Sequence, residues 1–138
     1  MKRALLMQIG DDVPLRSSRS AILSSAFDVI DCCSRDALEM FMAQPNVDAV
    51  VICGSVERTM QELLVARFRH DSPRTLILQI GNELHMQIAN TVLIDPHAPH
   101  KLVAAIARAF AEHARGAYSS DPSADAPERP ANSRAQAR

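Results

Sequence analysis

Short apolar runs alternate along this chain with longer segments in which apolar residues recur at helical spacing. The five runs occupy residues 3–9, 27–33, 47–52, 75–80 and 91–94. Runs this short and this apolar are typical of strands buried in a parallel sheet. Because each run is followed by a helical pattern, the sequence predicts an α/β fold, with a doubly wound parallel sheet covered by helices on both faces.

Helical segments are predicted at residues 15–26, 35–44, 56–70, 83–90 and 99–113. Asp12 is expected to cap the first helix, whose first turn suits Pro14, and Ser34 is expected to cap the second. The apolar stripes are predicted at Leu15, Ala21, Ile22 and Ala26 in the first helix and at Met60, Leu63, Leu64 and Phe68 in the third. The fourth helical segment is short.

The strand order follows from which runs are most apolar. The first, third and fourth belong in the centre, whereas partial alternation and Asp31 place the second nearer an edge. Right-handed crossovers then favour a flavodoxin-like order, 2-1-3-4-5, in three α/β/α layers. In this order ligands gather outside the carboxyl ends of strands one and three, where the strand order reverses. Those ends carry Asp11, Asp12 and Cys53.

Composition and charge narrow the classes of function. The 138 residues carry a net charge of −1, so no basic field exists to attract nucleic acid or an anionic membrane. No apolar run approaches the about 20 residues of a membrane-spanning helix, and the first is too short for a secretory signal. The expected location is cytoplasmic, where cysteines stay reduced. Residues 1–114 are predicted to form one domain and residues 115–138 a disordered tail, because the tail has no large apolar residue beyond Tyr118.

An ordered set of motifs resembles the receiver domain of two-component response regulators, over roughly residues 2–110. The motifs are Lys2-Arg-Ala-Leu-Leu-Met7, Asp11-Asp-Val-Pro-Leu-Arg16, Ala37-Leu-Glu-Met-Phe41, Asp48-Ala-Val-Val-Ile52 and Asp95-Pro96. The resemblance implies the CheY-like fold with a shortened fourth helix. It also implies a signalling role with a histidine kinase or an output protein as partner, and leaves open a homodimer formed through the fourth and fifth helices.

The positions that carry chemistry in that family differ in this chain. The resemblance places Cys53 where receivers have the phosphoacceptor aspartate, Gln79 or Ile80 at the conserved hydroxyl residue, and Asp95 at the lysine. A thiol cannot form an aspartyl phosphate, and it offers no hard oxygen to magnesium. A carboxylate at position 95 repels a phosphate. We therefore expect a degenerate receiver that is no enzyme, is not phosphorylated and acts through protein contacts.

Two other interpretations remain open from the residues alone. Asp11 and Asp12, with Asp95 as a third ligand, could hold a divalent cation such as Mg²⁺, although a helix cap and a solvated loop charge explain the pair more simply, so no cofactor is expected. Cys53 could be a reactive thiol in a redox sensor or small enzyme, since a nearby helix N-terminus lowers a thiol pKa. Nearby carboxylates oppose that effect, and buried cysteines are usually inert.

Overall fold

The computed structural model describes residues 3–44, 46–81, 87–88, 91–95 and 99–119. The strands are β1 (Leu5–Ile9), β2 (Asp28–Cys32), β3 (Ala49–Ile52), β4 (Leu76–Ile80) and β5 (Val92–Ile94). The α-helices are α1 (Val13–Leu23), α2 (Ala37–Ala43), α3 (Arg58–Asp71) and α4 (Leu102–Ser119). The strands form one parallel sheet in the order β2-β1-β3-β4-β5. The predicted CheY-like α/β fold and its strand order are therefore confirmed.

The side chains of each strand alternate between the two faces of the sheet, one of which is apolar while the other contains a buried glutamine. The apolar face forms a cluster with α2 and α3, which contains Met7, Ile9, Val50, Ile52 and Ile77 of the strands and Ala37, Phe41, Leu64, Val65 and Phe68 of the helices. Residues between these in the strands point to the opposite face. There the side-chain amide of Gln8 donates to the carbonyl of Arg16 in α1. Helices thus cover both faces, as predicted.

Helix α1 begins as expected but buries a different side chain. Asp12 is its N-cap, with the side chain accepting from the Leu15 amide, and Pro14 lies in the first turn. Leu15 is nevertheless 41% exposed, whereas Leu23 is fully buried. The predicted stripe is therefore wrong: Ala21 and Ala26 are exposed as well and Ile22 is only half-buried, because the side of α1 that carries Leu23 packs inward.

Helix α3 also differs from its predicted stripe. Its buried residues are Gln61, Leu64, Val65 and Phe68, which follow helical spacing, while Leu63 is 50% exposed. The assignment of Leu63 to the core is wrong. Gln61 takes a core position instead because its amide finds partners there, donating to the Val56 carbonyl and accepting from Gln79.

Two further boundaries differ from expectation. Ser34 does not cap α2; it begins a single 3-10 turn, Ser34–Asp36, and its hydroxyl is used elsewhere. Helix α4 continues to Ser119, through the predicted domain boundary between residues 114 and 115. The disordered tail stays a prediction, since residues 120–138 lie outside the described ranges. So does the shortened helix at 83–90, of which only residues 87 and 88 are described.

The chain divides into two units, Met1–Ala107 and Arg108–Arg138. The sheet and every side chain discussed below belong to the first. In the second, the described residues continue α4 to Ser119. Within the described ranges, no helix has the length and apolar character needed to cross a membrane.

Candidate functional site

Cys53 extends β3 by one residue at the carboxyl edge of the sheet. Its amide donates to the Ile9 carbonyl at 2.9 Å, and the residue is 1% exposed. The thiol donates to Oε1 of Gln8, with a sulfur–oxygen distance of 3.6 Å. A Cβ atom added to Gly10 would lie 3.2 Å from Cys53 Sγ and 3.3 Å from its Cβ. The thiol is therefore enclosed beside the end of β1 and faces the side-chain amide of Gln8.

Gln8 is the residue that organises this enclosed space. It is fully buried in the middle of β1. Its Nε2 donates to the Arg16 carbonyl at 3.1 Å and to Oδ1 of Asp31 at 2.9 Å, while Oε1 accepts from Cys53. One amide therefore connects β1 with α1, β2 and the end of β3. The sequence analysis did not select Gln8, although a lone polar residue within an apolar strand is the signal that identifies it.

The environment of Cys53 disfavours a thiolate. Burial raises the pKa of this thiol, and the charge of Asp31 adds to that rise. The guanidinium groups of Arg19 and Arg16 act in the opposite direction but do not outweigh burial. Since the thiolate is the nucleophilic form, the raised pKa favours the protonated, less nucleophilic thiol near neutral pH.

Asp11 is held by the turn that follows β2. Its two carboxylate oxygens accept from the backbone amide of Ser34 at 2.8 Å and from the Ser34 hydroxyl at 2.7 Å. Two charge-assisted hydrogen bonds to one residue fix the direction of the carboxylate. The carboxylate that the sequence analysis assigned to an acidic pocket therefore connects two loops of the protein.

A second serine connects the same loop to the end of β3. The hydroxyl oxygen of Ser55 accepts from the backbone amides of Asp11 and Asp12, at 3.0 and 3.2 Å. The Asp12 carboxylate in turn caps α1. Ser34 was expected to cap a helix and Ser55 was not predicted at all, because their roles depend on contacts with residues 23 and 44 positions away.

Asp95 is exposed and follows β5, which β4 separates from β3. Among the described residues, no three His, Cys, Asp or Glu side chains are grouped so that they could hold a metal ion. Asp11, Asp12 and Asp95 are therefore not grouped in this way. Whether the pair alone takes up Mg²⁺, and the expectation of no cofactor, stay predictions.

Gln79 and Ile80 occupy the end of β4, where the resemblance places a hydroxyl residue. Both are buried, and Gln79 pairs with Ile52 of β3 in the sheet. The Gln79 amide bonds to Gln61 of α3, on the face opposite to that of Cys53. Its side chain is therefore directed away from the thiol, and neither residue offers a hydroxyl to the site.

No protein-family model and no curated protein sequence matches this chain. Solved structures do match it. The response regulator receiver protein from Sinorhizobium medicae has a TM-score of 0.63 at 15% identity, covering 80% of this chain and 97% of that protein. The chemotaxis response regulator CheY4 of Vibrio cholerae has a TM-score of 0.66 at 18% identity, covering 78% and 99%.

A third matching structure is a complex of two proteins. In it, the phosphorylated P1 domain of CheA3 is in complex with CheY6 from R. sphaeroides; the match has a TM-score of 0.58 at 19% identity, covering 78% of this chain and 97% of that one. At identities this low the three likenesses establish the fold and not the function. The chain has the receiver fold, in agreement with the motifs in its sequence.

Proposed function

We propose that this chain is a receiver-like signalling module of two-component ancestry that binds other proteins without being phosphorylated on an aspartate. The ancestry is supported by the ordered motifs in the sequence and by the receiver fold. Since a fold serves many functions, the second half of the proposal rests on the site.

The observation that carries the proposal is the state of Cys53. It stands at the phosphoacceptor position implied by the resemblance, is 1% exposed and donates its thiol proton to Gln8. A phosphoryl donor needs an exposed nucleophilic oxygen at this position, close to a bound divalent cation. This chain has instead an enclosed sulfur whose pKa is raised by burial.

The surrounding side chains support the same proposal. Asp11 is engaged by Ser34, Asp12 caps α1, and Asp95 is a carboxylate at the position that the resemblance assigns to a lysine. Cys53 follows β3 and Asp95 follows β5, so the site differs from a receiver by more than one substitution. A module of this kind works by contact and needs no catalytic group.

We propose a signalling protein as the partner, either a histidine kinase or an output protein. Support comes from the R. sphaeroides structure, in which CheY6, a protein of this fold, is in complex with the phosphorylated P1 domain of CheA3. A cytoplasmic location and a homodimer belong to the same proposal. The partner test is titration calorimetry against purified phosphotransfer domains of kinases from the source organism. We expect one of them to bind with the same Kd whether or not a phosphodonor is present.

The proposal is tested directly by incubating the purified chain with acetyl phosphate and Mg²⁺ and measuring its intact mass. We expect no added phosphoryl group, under conditions that label a receiver with an intact aspartate as the positive control. A hydroxylamine-labile phosphoryl group on this chain would show that an aspartate still accepts phosphate, and the proposal would fail.

The variant Cys53→Asp tests whether phosphorylation is prevented by the residue at position 53 alone or also by the rest of the site. We expect it to stay unlabelled as well, because Asp11 remains bonded to Ser34 and no lysine stands at position 95. Labelling of the variant but not of the natural chain would mean that the rest of the site still supports phosphoryl transfer. Circular dichroism of the variant confirms that it is folded before the assay.

A further inference from the structure

A chain of buried polar groups crosses the α3 face of the sheet. Gln61, Gln79 and Thr91 are 7%, 5% and 8% exposed, in surroundings that are otherwise apolar. Burying an amide costs free energy unless its hydrogen bonds are made inside the protein. The partners of these three side chains therefore determine which parts of the chain must stay in place together.

The two glutamine side chains bond to each other, and each also bonds to the backbone of a different segment. Gln61 Nε2 donates to the Val56 carbonyl at 2.7 Å, and Gln79 Nε2 donates to Oε1 of Gln61 at 3.1 Å. Oε1 of Gln79 then accepts from the backbone amide of Ile88 at 2.9 Å and lies 3.1 Å from the Thr91 hydroxyl. The result is one continuous series of hydrogen bonds from Val56 to Ile88.

The ends of this series lie in two separate segments. Val56 belongs to the loop after β3, and its amide donates to the Cys53 carbonyl at 3.2 Å. Ile88 and Thr91 precede β5, and the Thr91 hydroxyl also donates to the Ile88 carbonyl at 2.7 Å. We call Gln87, Ile88 and Thr91 the β5 approach. Cys53 Sγ takes no part, since it bonds to Gln8 on the opposite face.

We propose that the Gln61–Gln79 pair couples the loop after β3 energetically to the β5 approach, as a conformational device that needs no chemistry at Cys53. If the β5 approach moves away, Oε1 of Gln79 loses the amide of Ile88 and is left buried without that donor. If the loop after β3 moves, Nε2 of Gln61 loses the Val56 carbonyl. Each loss leaves the Gln61–Gln79 pair with one hydrogen bond fewer. Partly satisfied buried networks cost free energy, so the loss at one end destabilises the bonds at the other.

Amide hydrogen exchange followed by NMR tests this coupling at single residues. In Gln61→Met, the exchange rate of the Ile88 amide is expected to rise at least about fivefold, although Gln61 bonds to Val56 and Gln79 rather than to Ile88. The coupling acts in both directions, so Gln79→Met should also raise the exchange rate of the Val56 amide. In the double variant, both increases should be smaller than the product of the two single effects.

Gln8→Met is the matched control, because it removes a buried amide of the same size from the opposite face. It should leave the ratio of the Ile88 rate to that of a core amide such as Val50 unchanged. The same ratio corrects all variants for a change in global stability, and Thr91→Val offers a milder substitution if a methionine variant does not fold. Thr91→Val should raise the Ile88 rate. The proposal is overturned if Gln61→Met leaves the Ile88 ratio unchanged, or if Gln8→Met raises it equally.

Discussion

Replacing Phe68 with alanine is expected to lower the free energy of unfolding by about 3–5 kcal/mol. Phe68 is fully buried in α3, and its ring lies against Phe41 of α2 with 4.6 Å between the ring centroids. The substitution removes a large apolar side chain from the cluster that joins both helices to the sheet, and it leaves a cavity there. Urea unfolding followed by circular dichroism measures the loss.

Leu63→Ala on the same helix is the matched control. Because Leu63 is 50% exposed, its replacement should change the free energy of unfolding by no more than about 0.5 kcal/mol. The comparison also tests the orientation of α3, since the apolar pattern in the sequence assigned both Leu63 and Phe68 to the core. Equal losses for the two variants would contradict the observed orientation.

Gly10→Ala is expected to destabilise the protein by about 1–3 kcal/mol, through overpacking. The new Cβ would lie 3.2 Å from Cys53 Sγ and 3.3 Å from Cys53 Cβ, and both atoms are enclosed. Gly54→Ala is the control for adding a methyl group to the same edge of the sheet, because its Cβ would meet the Ile80 carbonyl oxygen at an ordinary 3.6 Å. Chemical unfolding of both variants gives the difference.

A double-mutant cycle assigns the effect of Gly10→Ala to Cys53. Cys53→Gly removes the two atoms that the new methyl group would approach most closely and leaves Ser55 Oγ at an ordinary 3.6 Å, so alanine at position 10 should cost at least about 1 kcal/mol less in that background. A cost that is the same in both backgrounds would mean that the space beside Gly10 is not filled by Cys53.

The fold could be predicted because its determinants are local. Five short apolar runs, separated by helical patterns, define the strands, and the partial alternation around Asp31 places β2 at the edge. The cap of α1 is equally local, because Asp12 lies three residues from Leu15, whose amide donates to its carboxylate. The errors concern the Ser34 cap and the helix faces. Leu63 and Gln61 differ by two positions, and only packing decides which of them is buried.

The site was harder to predict because its hydrogen bonds join distant residues. Gln8 lies 45 positions from Cys53 in the sequence, and Gln61 lies 18 from Gln79. A prediction from periodicity places glutamine at the surface, because the hydrogen-bond partner that allows its burial is brought close only by the tertiary structure. The sequence did identify position 53 as the decisive one, and it offered both an inert and a reactive thiol there.

Alkylation kinetics at Cys53 test the central claim most directly. We expect iodoacetamide near neutral pH to modify Cys33, which is only partly buried, at least about a hundred times faster than Cys53, which is 1% exposed and has a raised pKa. Peptide mass spectrometry follows each thiol, and the same reaction in denaturant should remove the difference. Modification of Cys53 in the folded chain as fast as Cys33 would contradict an enclosed, inert thiol and favour the redox function.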